Sequence, residues 1–341
     1  MTPSPHAARL VTPMMLALGV VLATVPLWIT KIGLYPYLGV EILIWSIYAL
    51  AYNLLLGTAG LPSFGHGAYF GVGAYAFGLT QLHVAPGLWV CLTGALLAGA
   101  LAGLVVAAFI SHRRGIYYAF MTIAFGQIFW FMAMKLRDLT GGEDGLLKIA
   151  RPPVDLGIAA FDITDNVSLF YFVLAAFLVV VVGLWRLTHS PFGRVLSAIR
   201  QSETRAAHLG YHVRVYKMSV FTLSAALSGL AGGLFAMAQN SAFPDVMSLH
   251  HSGYVVMMVL VGGGLVSFWG PVVGVVVFLV ARDVIGAVTN TWMLWFGLLF
   301  ILVVLFRPEG IAGAWQAATK GVDLKRLRLR GSAALAQVLK V

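Results

Sequence analysis

Long apolar runs separated by short charged blocks dominate this sequence. Charged residues make up 10% of the 341-residue chain, whereas a soluble domain normally carries about 25%. Each run is long enough to cross a bilayer as a helix, which takes roughly 20 apolar residues. The runs do not alternate apolar and polar residues as the strands of a membrane barrel do. The sequence therefore predicts an all-α, polytopic membrane protein.

We predict about ten transmembrane helices and a simple domain organisation. Residues 1–11 form a cytoplasmic N-terminus, 12–306 the transmembrane domain and 307–341 a basic tail. Within the transmembrane domain, 137–166 is an outer loop and 188–217 a cytoplasmic segment. The predicted spans are 12–30, 37–56, 61–80, 87–110, 116–136, 167–187, 218–238, 253–269, 272–288 and 291–306.

The distribution of basic residues predicts the orientation in the membrane. Cytoplasmic segments are enriched in Lys and Arg. With the N-terminus inside, the cytoplasmic side holds Arg9, Arg113, Arg114, the basic residues of 186–217 and those of the tail. The outer loop is net acidic instead. Both termini are therefore predicted to be cytoplasmic, and the formal net charge of +10 reflects membrane topology rather than nucleic-acid binding.

The segment 190–217 (SPFGRVLSAIRQSETRAAHLGYHVRVYK) is a polar insert built to fold. Ser190 before Pro191, and Ser202 before Glu203, are helix-start signals. Gly210 would end a short helix whose inward residues are predicted to be Ala206, Ala207 and Leu209. This pattern predicts either a docking element for a cytoplasmic partner or an ordinary loop near lipid headgroups.

The segment 61–80 (LPSFGHGAYFGVGAYAFGLT) is a poor regular helix, because it combines a proline, five glycines and a histidine. Irregular backbone at membrane depth is tolerated only where protein buries it or where it lines a cavity. The segment is therefore our candidate for the lining of a transport pathway. His66 fits a proton relay, a substrate contact or a satisfied interior histidine, and the last is the commonest case.

Other glycines and charges in the apolar runs have simpler interpretations. Four pairs of glycines are spaced four residues apart, which lets helices approach closely in lipid. Arg282 and Asp283 are predicted to have different partners, since neighbouring residues on a helix do not face each other. The glycine pairs are Gly67/Gly71, Gly99/Gly103, Gly229/Gly233 and Gly270/Gly274.

Catalytic and nucleotide-binding motifs that are missing from the sequence limit the functions that this chain can have. The chain has no HExxH, no GxSxG and no aspartate pair within the spans, so nothing indicates an enzyme or a catalytic residue. Buried carboxylates, which commonly couple a secondary transporter to an ion gradient, are few. A GxxxxGK[ST] loop is also missing, so a primary transporter would need a separate ATPase. A single cysteine, Cys91, excludes an internal disulfide and offers no metal pair, and no cofactor is indicated.

Several blocks, taken in order, resemble the permease subunits of branched-chain amino acid ABC importers, and the M-type subunit most. They are AYNLLLGTAGLPSFGHGAYFGVGAYA, RGIYYAFMTIAFGQIFWFM, LTGGEDGL, the insert 190–217 and RPEGIAG. The resemblance runs over about 41–313. It implies an inner-membrane importer of branched-chain amino acids, with a second permease, two ATP-binding subunits and an external substrate-binding protein as partners. Relatives that carry urea or short amides are the closest alternative, and a secondary transporter is a more distant one.

The resemblance and the residues together assign three candidate sites. The family's coupling helix falls in the insert, although Thr204 and Arg205 depart from the family's pattern. The outer loop would dock the binding protein, and it also reads as a simple turn. The candidates are Ser63, Phe64, Gly65, His66 and Gly67 for the pathway; Arg200, Glu203, Ala206, Ala207 and Gly210 for ATPase coupling; and Gly141, Gly142, Glu143, Asp144 and Gly145 for binding-protein docking.

Overall fold

The computed structural model describes residues 24, 26, 35–155, 160–289, 291–306 and 309–319. The chain divides into two compact units, Met1–Ser252 and Gly253–Val341. The N-terminus 1–11 lies outside the described residues, as does nearly all of the predicted first span 12–30.

The first unit is a helical bundle with short strands in two of its connections, between Thr140 and Asn166 and after Gln239. Two-residue strands pair antiparallel, β1 with β4 and β2 with β3. The helices are α1 (Pro36–Asn53), α2 (Gly67–His83), α3 (Leu88–Ile110), α4 (Gly115–Lys135), α5 (Arg137–Thr140), α6 (Asn166–His189), α7 (Pro191–Gln201), α8 (Glu203–His208) and α9 (Val213–Gln239). The strands are β1 (Leu146–Leu147), β2 (Val154–Asp155), β3 (Ala160–Phe161) and β4 (Ser241–Ala242).

Helix α9 lies at the centre of this bundle, packed against α1, α2 and α3. Glycines permit the close approach. A β-carbon on Gly229 of α9 would lie 3.0 Å from the Cα of Gly99 on α3, and one on Gly73 of α2 would overlap the Gly229 carbonyl. The backbones therefore touch where small residues face each other, as the spacing of Gly99/Gly103 and Gly229/Gly233 predicts.

Helix α1 ends in a break rather than a loop. A π-helical turn, Leu54–Thr58, follows it, and Gly60 then adopts a positive φ of 71°. The predicted span 61–80 is corrected here, because its first residues are not helical and α2 begins only at Gly67. We call residues 57–66 the break.

The polar insert folds as its helix signals predict. Ser190 caps α7 by accepting a hydrogen bond from the Gly193 N–H, and Ser202 caps α8 by accepting one from the Arg205 N–H. Gly210 follows α8 with φ +87°, a conformation that favours glycine. We call these two capped helices, α7 and α8, the docking element, after the partner docking that the sequence predicts for them.

Helix α10 (Leu249–Gly262) leads into the second unit, which contains α11 (Gly270–Val288), α12 (Trp292–Phe306) and α13 (Gly310–Thr319). The predicted span 253–269 is wrong at its C-terminal end, because α10 stops at Gly262. A β-carbon on Gly270 would lie 2.6 Å from the Gly263 carbonyl oxygen, and turns take the intervening residues. The prediction for Arg282 and Asp283 is also wrong, since the guanidinium bends back to bond its neighbour, with Nε 3.0 Å from Oδ1.

Six helices among the described residues are long and apolar enough to cross a membrane. The chain is therefore a multi-pass membrane protein, and the predicted number of about ten spans stays a prediction. The six are Pro36–Thr58, Leu88–Ile110, Gly115–Lys135, Asn166–His189, Val213–Gln239 and Gly270–Val288.

The packing of α2 on α9 predicts how much stability is lost when one methyl group is added to a glycine between them. A β-carbon on Gly232 would overlap the Phe70 carbonyl. A β-carbon on Gly183 of α6 would have no surrounding atom within 4 Å. We expect Gly232→Ala to lower the free energy of unfolding by about 1–3 kcal/mol, the usual cost of overpacking. Gly183→Ala should be neutral or stabilising, because alanine is the better helix former. Denaturant titration in mixed micelles measures both, and equal stability of the two variants would contradict this packing.

Candidate functional site

The break is held by side chains from the surrounding helices. The Ser63 N–H donates to the Tyr52 hydroxyl at 3.3 Å, and the Phe64 N–H donates to Thr122 Oγ1 at 3.0 Å. The Gly67 N–H, at the start of α2, donates to Ser252 Oγ at 2.9 Å. Backbone donors that an unbroken helix would satisfy internally are thus satisfied from α1, α4 and α10.

His66 is buried and bonded through both ring nitrogens. Ser224 Oγ lies 2.6 Å from the Ala51 carbonyl and donates its proton there. The same oxygen therefore accepts from His66 Nε2, 2.9 Å away. Nδ1 is left to accept from the Ser63 hydroxyl at 3.3 Å. These contacts fit the interpretation of His66 as a satisfied interior histidine.

The two glycines beside His66 have no room for a side chain. A β-carbon on Gly65 would overlap the Thr122 carbonyl, and one on Gly67 would lie 2.7 Å from Ser252 Oγ. Of the five predicted pathway residues, only Phe64 is partly exposed, and the other four are buried. The structure therefore buries four of the five predicted pathway residues within the first unit.

The short helix α8 presents one buried and several exposed small residues. Ala206 packs against Val195 and Ile199 of α7. Ala207 is exposed, and Leu209 is 75% exposed. The prediction that all three face inward is correct for Ala206 and wrong for Ala207 and Leu209, because α8 is too short to bury more than one face against α7. We call Ala207, together with Leu209 and Gly210 that directly follow the helix, the exposed face of α8.

Glu203, at the start of α8, is the centre of an ion network. Its carboxylate oxygens lie 2.7 Å from Arg114 Nε and 3.1 Å from Lys217 Nζ. The Lys217 side chain is 2% exposed and also donates to the Arg113 carbonyl, with Nζ 5.3 Å from the Tyr118 ring centroid. The network fastens α8 to the starts of α4 and α9.

Arg200, another predicted coupling residue, turns toward its own chain. Its guanidinium donates to the Gly57 carbonyl, and its aliphatic stem lies over Gly60. Burial lowers the pKa of this guanidinium, which still remains charged at any physiological pH.

The predicted docking loop 141–145 is a tight turn. Gly141, Gly142 and Gly145 all have positive φ, between 64° and 79°. The side chains of Glu143 and Asp144 are exposed, whereas Gly142 and Gly145 are buried. The glycines therefore serve the turn, and the two acids are left free to meet a partner.

Sequence reasoning missed the side chains that hold the sites in place. Tyr52, Thr122, Ser224 and Ser252 each bond the break, yet they look ordinary within apolar runs. The ion network of Glu203 could have been suspected from the sequence, because Glu203 is the sole acidic residue in the basic segment 190–217. Within the described ranges, no group of three or more His, Cys, Asp or Glu side chains could hold a metal ion.

Comparison with known proteins identifies relatives over most of the chain. Residues 35–306 match the family described as branched-chain amino acid transport system / permease component. The chain is 31% identical over 291 residues to the high-affinity branched-chain amino acid transport system permease protein LivM of Escherichia coli, covering 79% of this chain and 68% of that protein. The probable branched-chain amino acid transport permease protein LivM of Methanocaldococcus jannaschii is 22% identical, over 85% of this chain and 97% of its own.

A shorter match reaches a sugar permease. The ribose import permease protein RbsC of Bacillus subtilis is 33% identical over 110 residues, or 32% of this chain and 33% of that protein. No solved structure matches. The family match and the LivM relatives confirm the predicted resemblance.

The ion network predicts that substitutions at Glu203 and at Lys217 lower the stability of the protein by different amounts. Glu203→Gln leaves the buried Lys217 ammonium without its anion, whereas Lys217→Met leaves Glu203 with Arg114. We therefore expect Glu203→Gln to cost more unfolding free energy than Lys217→Met, because an unpaired buried charge is the costlier remnant. The double variant should show a coupling of about 0.5–3 kcal/mol.

The measurement is a double-mutant cycle by denaturant titration in mixed micelles. Arg205→Gln is the control, since Arg205 lies on the same helix and is exposed. Additive effects of the two single variants would show that Glu203 does not stabilise Lys217.

Proposed function

We propose that this chain, which belongs to the family of branched-chain amino acid transport permeases, is the membrane-spanning subunit of an ATP-driven importer of branched-chain amino acids. The observation that carries the proposal is the family match over 35–306, most of the transmembrane domain. The relatives are transport permeases and not enzymes. The chain likewise works as a transport subunit and leaves ATP hydrolysis to other subunits.

The partners follow from what the chain lacks and what it exposes. No GxxxxGK[ST] loop occurs in the sequence, so two separate ATP-binding subunits supply the energy. The exposed face of α8 offers them a small, apolar surface on a helix that is fixed to the bundle. A second permease completes the pathway, and an external binding protein delivers the substrate to the side of the exposed Glu143 and Asp144.

The proposed orientation places the docking element in the cytoplasm. The basic loop residues Arg113 and Arg114 lie at the same end of the first unit as α7 and α8. Cytoplasmic segments are the ones enriched in such residues. Both termini then lie inside, the loop 137–166 lies outside, and the protein resides in the inner membrane.

The mechanism is alternating access. ATP binding draws the ATPase subunits together and displaces the docking element, and the permeases open toward the binding protein. Nucleotide can drive this change only by favouring one conformer over the other. The break is the proposed place where the pathway opens, because its backbone is irregular within a predicted span.

Uptake into proteoliposomes tests which substrate the transporter carries. The chain is reconstituted with its second permease, ATPase subunits and binding protein, and uptake of labelled leucine is measured with and without ATP. We expect ATP-dependent uptake that excess isoleucine or valine competes away, and no competition by urea, acetamide or ribose. Uptake of urea in place of leucine, or leucine uptake that needs no ATP, would contradict the proposal.

A substitution on the exposed face of α8 should impair docking of the ATPase subunits without impairing folding of the permease. Leu209 is 75% exposed, so Leu209→Asp should leave the stability of the permease unchanged while it abolishes coupled uptake. Val84→Asp is the matched control, because Val84 is 74% exposed in the turn before α3, at the far end of that helix from Arg113 and Arg114. Co-purification of the ATPase subunits measures docking, and normal co-purification with Leu209→Asp would remove this face from the interface.

A further inference from the structure

Arg200 differs from the other arginines of the docking element in where its side chain lies. Arg194, Arg200 and Arg205 are all exposed as residues. What sets Arg200 apart is that its guanidinium reaches the Gly57 carbonyl, and that a β-carbon on Gly60 would lie 2.7 Å from its Cγ. Gly60 is thus required twice over, for its positive φ and for the arginine stem that covers it.

The contact falls at the point where α1 loses its regular hydrogen bonding. The Gly60 N–H still donates to the Leu56 carbonyl as in an α-helix, but the Leu61 N–H donates to the Leu55 carbonyl rather than to that of Gly57. A guanidinium suits the Gly57 carbonyl that is freed in this way, because it offers several N–H donors in a fixed planar fork.

The break is therefore held at both of its ends. At the Gly57 end Arg200 ties it to α7. At the other end, His66 ties it to Ser224 of α9, and Ser224 in turn bonds Ala51 of α1. The first tie belongs to the docking element and the second to the buried centre of the bundle.

The docking element is built as one piece. Ser202 is both the residue that ends α7 and the cap of α8, so the two helices are joined without a linker. Ala206 packs on Val195 and Ile199 across that joint. The exposed face of α8 and Arg200 therefore lie on one packed pair of helices.

We propose that Arg200 is a positioning residue that links the docking element to the break, so that nucleotide-driven displacement of α7 and α8 moves residues 57–66. The proposal rests on the proposed function, since the displacement comes from the ATPase subunits. It goes beyond that function by assigning one side chain as the connection between docking and pathway.

Hydrogen exchange in the assembled transporter tests the link. Exchange of the backbone amides of residues 54–66 is measured in the nucleotide-free complex and in the complex trapped with ATP and vanadate. The unmodified chain should show a difference between the two states, and Arg200→Ala should lose it. Arg200→Lys should keep part of it, because lysine retains a donor without the planar fork, and Arg194→Ala should behave as the unmodified chain.

The ratio of uptake to ATP hydrolysis separates linkage from mere stability. In Arg200→Ala we expect this ratio to fall about fivefold or more, the lower end of common coupling effects, with hydrolysis continuing. An unchanged ratio together with an unchanged exchange difference would overturn the proposal. A loss of uptake and hydrolysis in equal proportion would also overturn it, because Arg200 would then act only on folding or docking.

The two proposals fail in different ways. If the unmodified complex hydrolyses ATP but takes up no branched-chain amino acid, the proposed substrate is wrong. The exchange difference between the nucleotide states still decides the role of Arg200 in that case, since it requires no substrate. If the unmodified complex shows uptake and no exchange difference in 54–66, the proposed function stands and the link is wrong.

Discussion

The need to satisfy backbone polar groups inside a membrane governs this structure. Residues 57–66 interrupt the helical ladder within a chain that spans the bilayer, where no water replaces the missing partners. Tyr52, Thr122 and Ser252 accept from the freed N–H groups, and Arg200 donates to a freed carbonyl. Each of these partners comes from a different helix. The break therefore fixes how α1, α4, α7 and the residues around Ser252, at the end of the first unit, meet around it.

This requirement connects parts of the chain that a simple bundle would leave independent. His66 links the break to α9 through Ser224, while Arg200 links it to the docking element. Glu203 then fastens the docking element to the starts of α4 and α9. Polar contacts thus run from the docking element to the buried centre. Glycines serve a different role, because they let α2, α3 and α9 approach one another closely.

Local chemistry made much of this predictable from sequence. Serine caps and Gly210 gave α7 and α8 correctly, because capping depends on a few adjacent residues. The irregularity of 61–66 followed from its proline and glycines. The partners of the break were not predictable, since Ser224 and Thr122 look like any small polar residue in a span and their role depends on contacts 158 and 58 residues away. The prediction of which α8 residues are buried failed for a similar reason, because the packed face of α8 depends on its contact with α7 and not on the sequence of α8 alone.

Cysteine accessibility at Phe64 tests the proposal that the break is the part of the permease that opens during transport. Phe64 is the partly exposed residue of the predicted pathway, and Cys91→Ser removes the single native cysteine. In the assembled transporter, a Phe64→Cys variant is treated with a membrane-impermeant thiol reagent, without nucleotide and after trapping with ATP and vanadate. We expect different modification rates in the two states and protection by bound substrate. Equal rates in both states, in a variant that still takes up substrate, would contradict it.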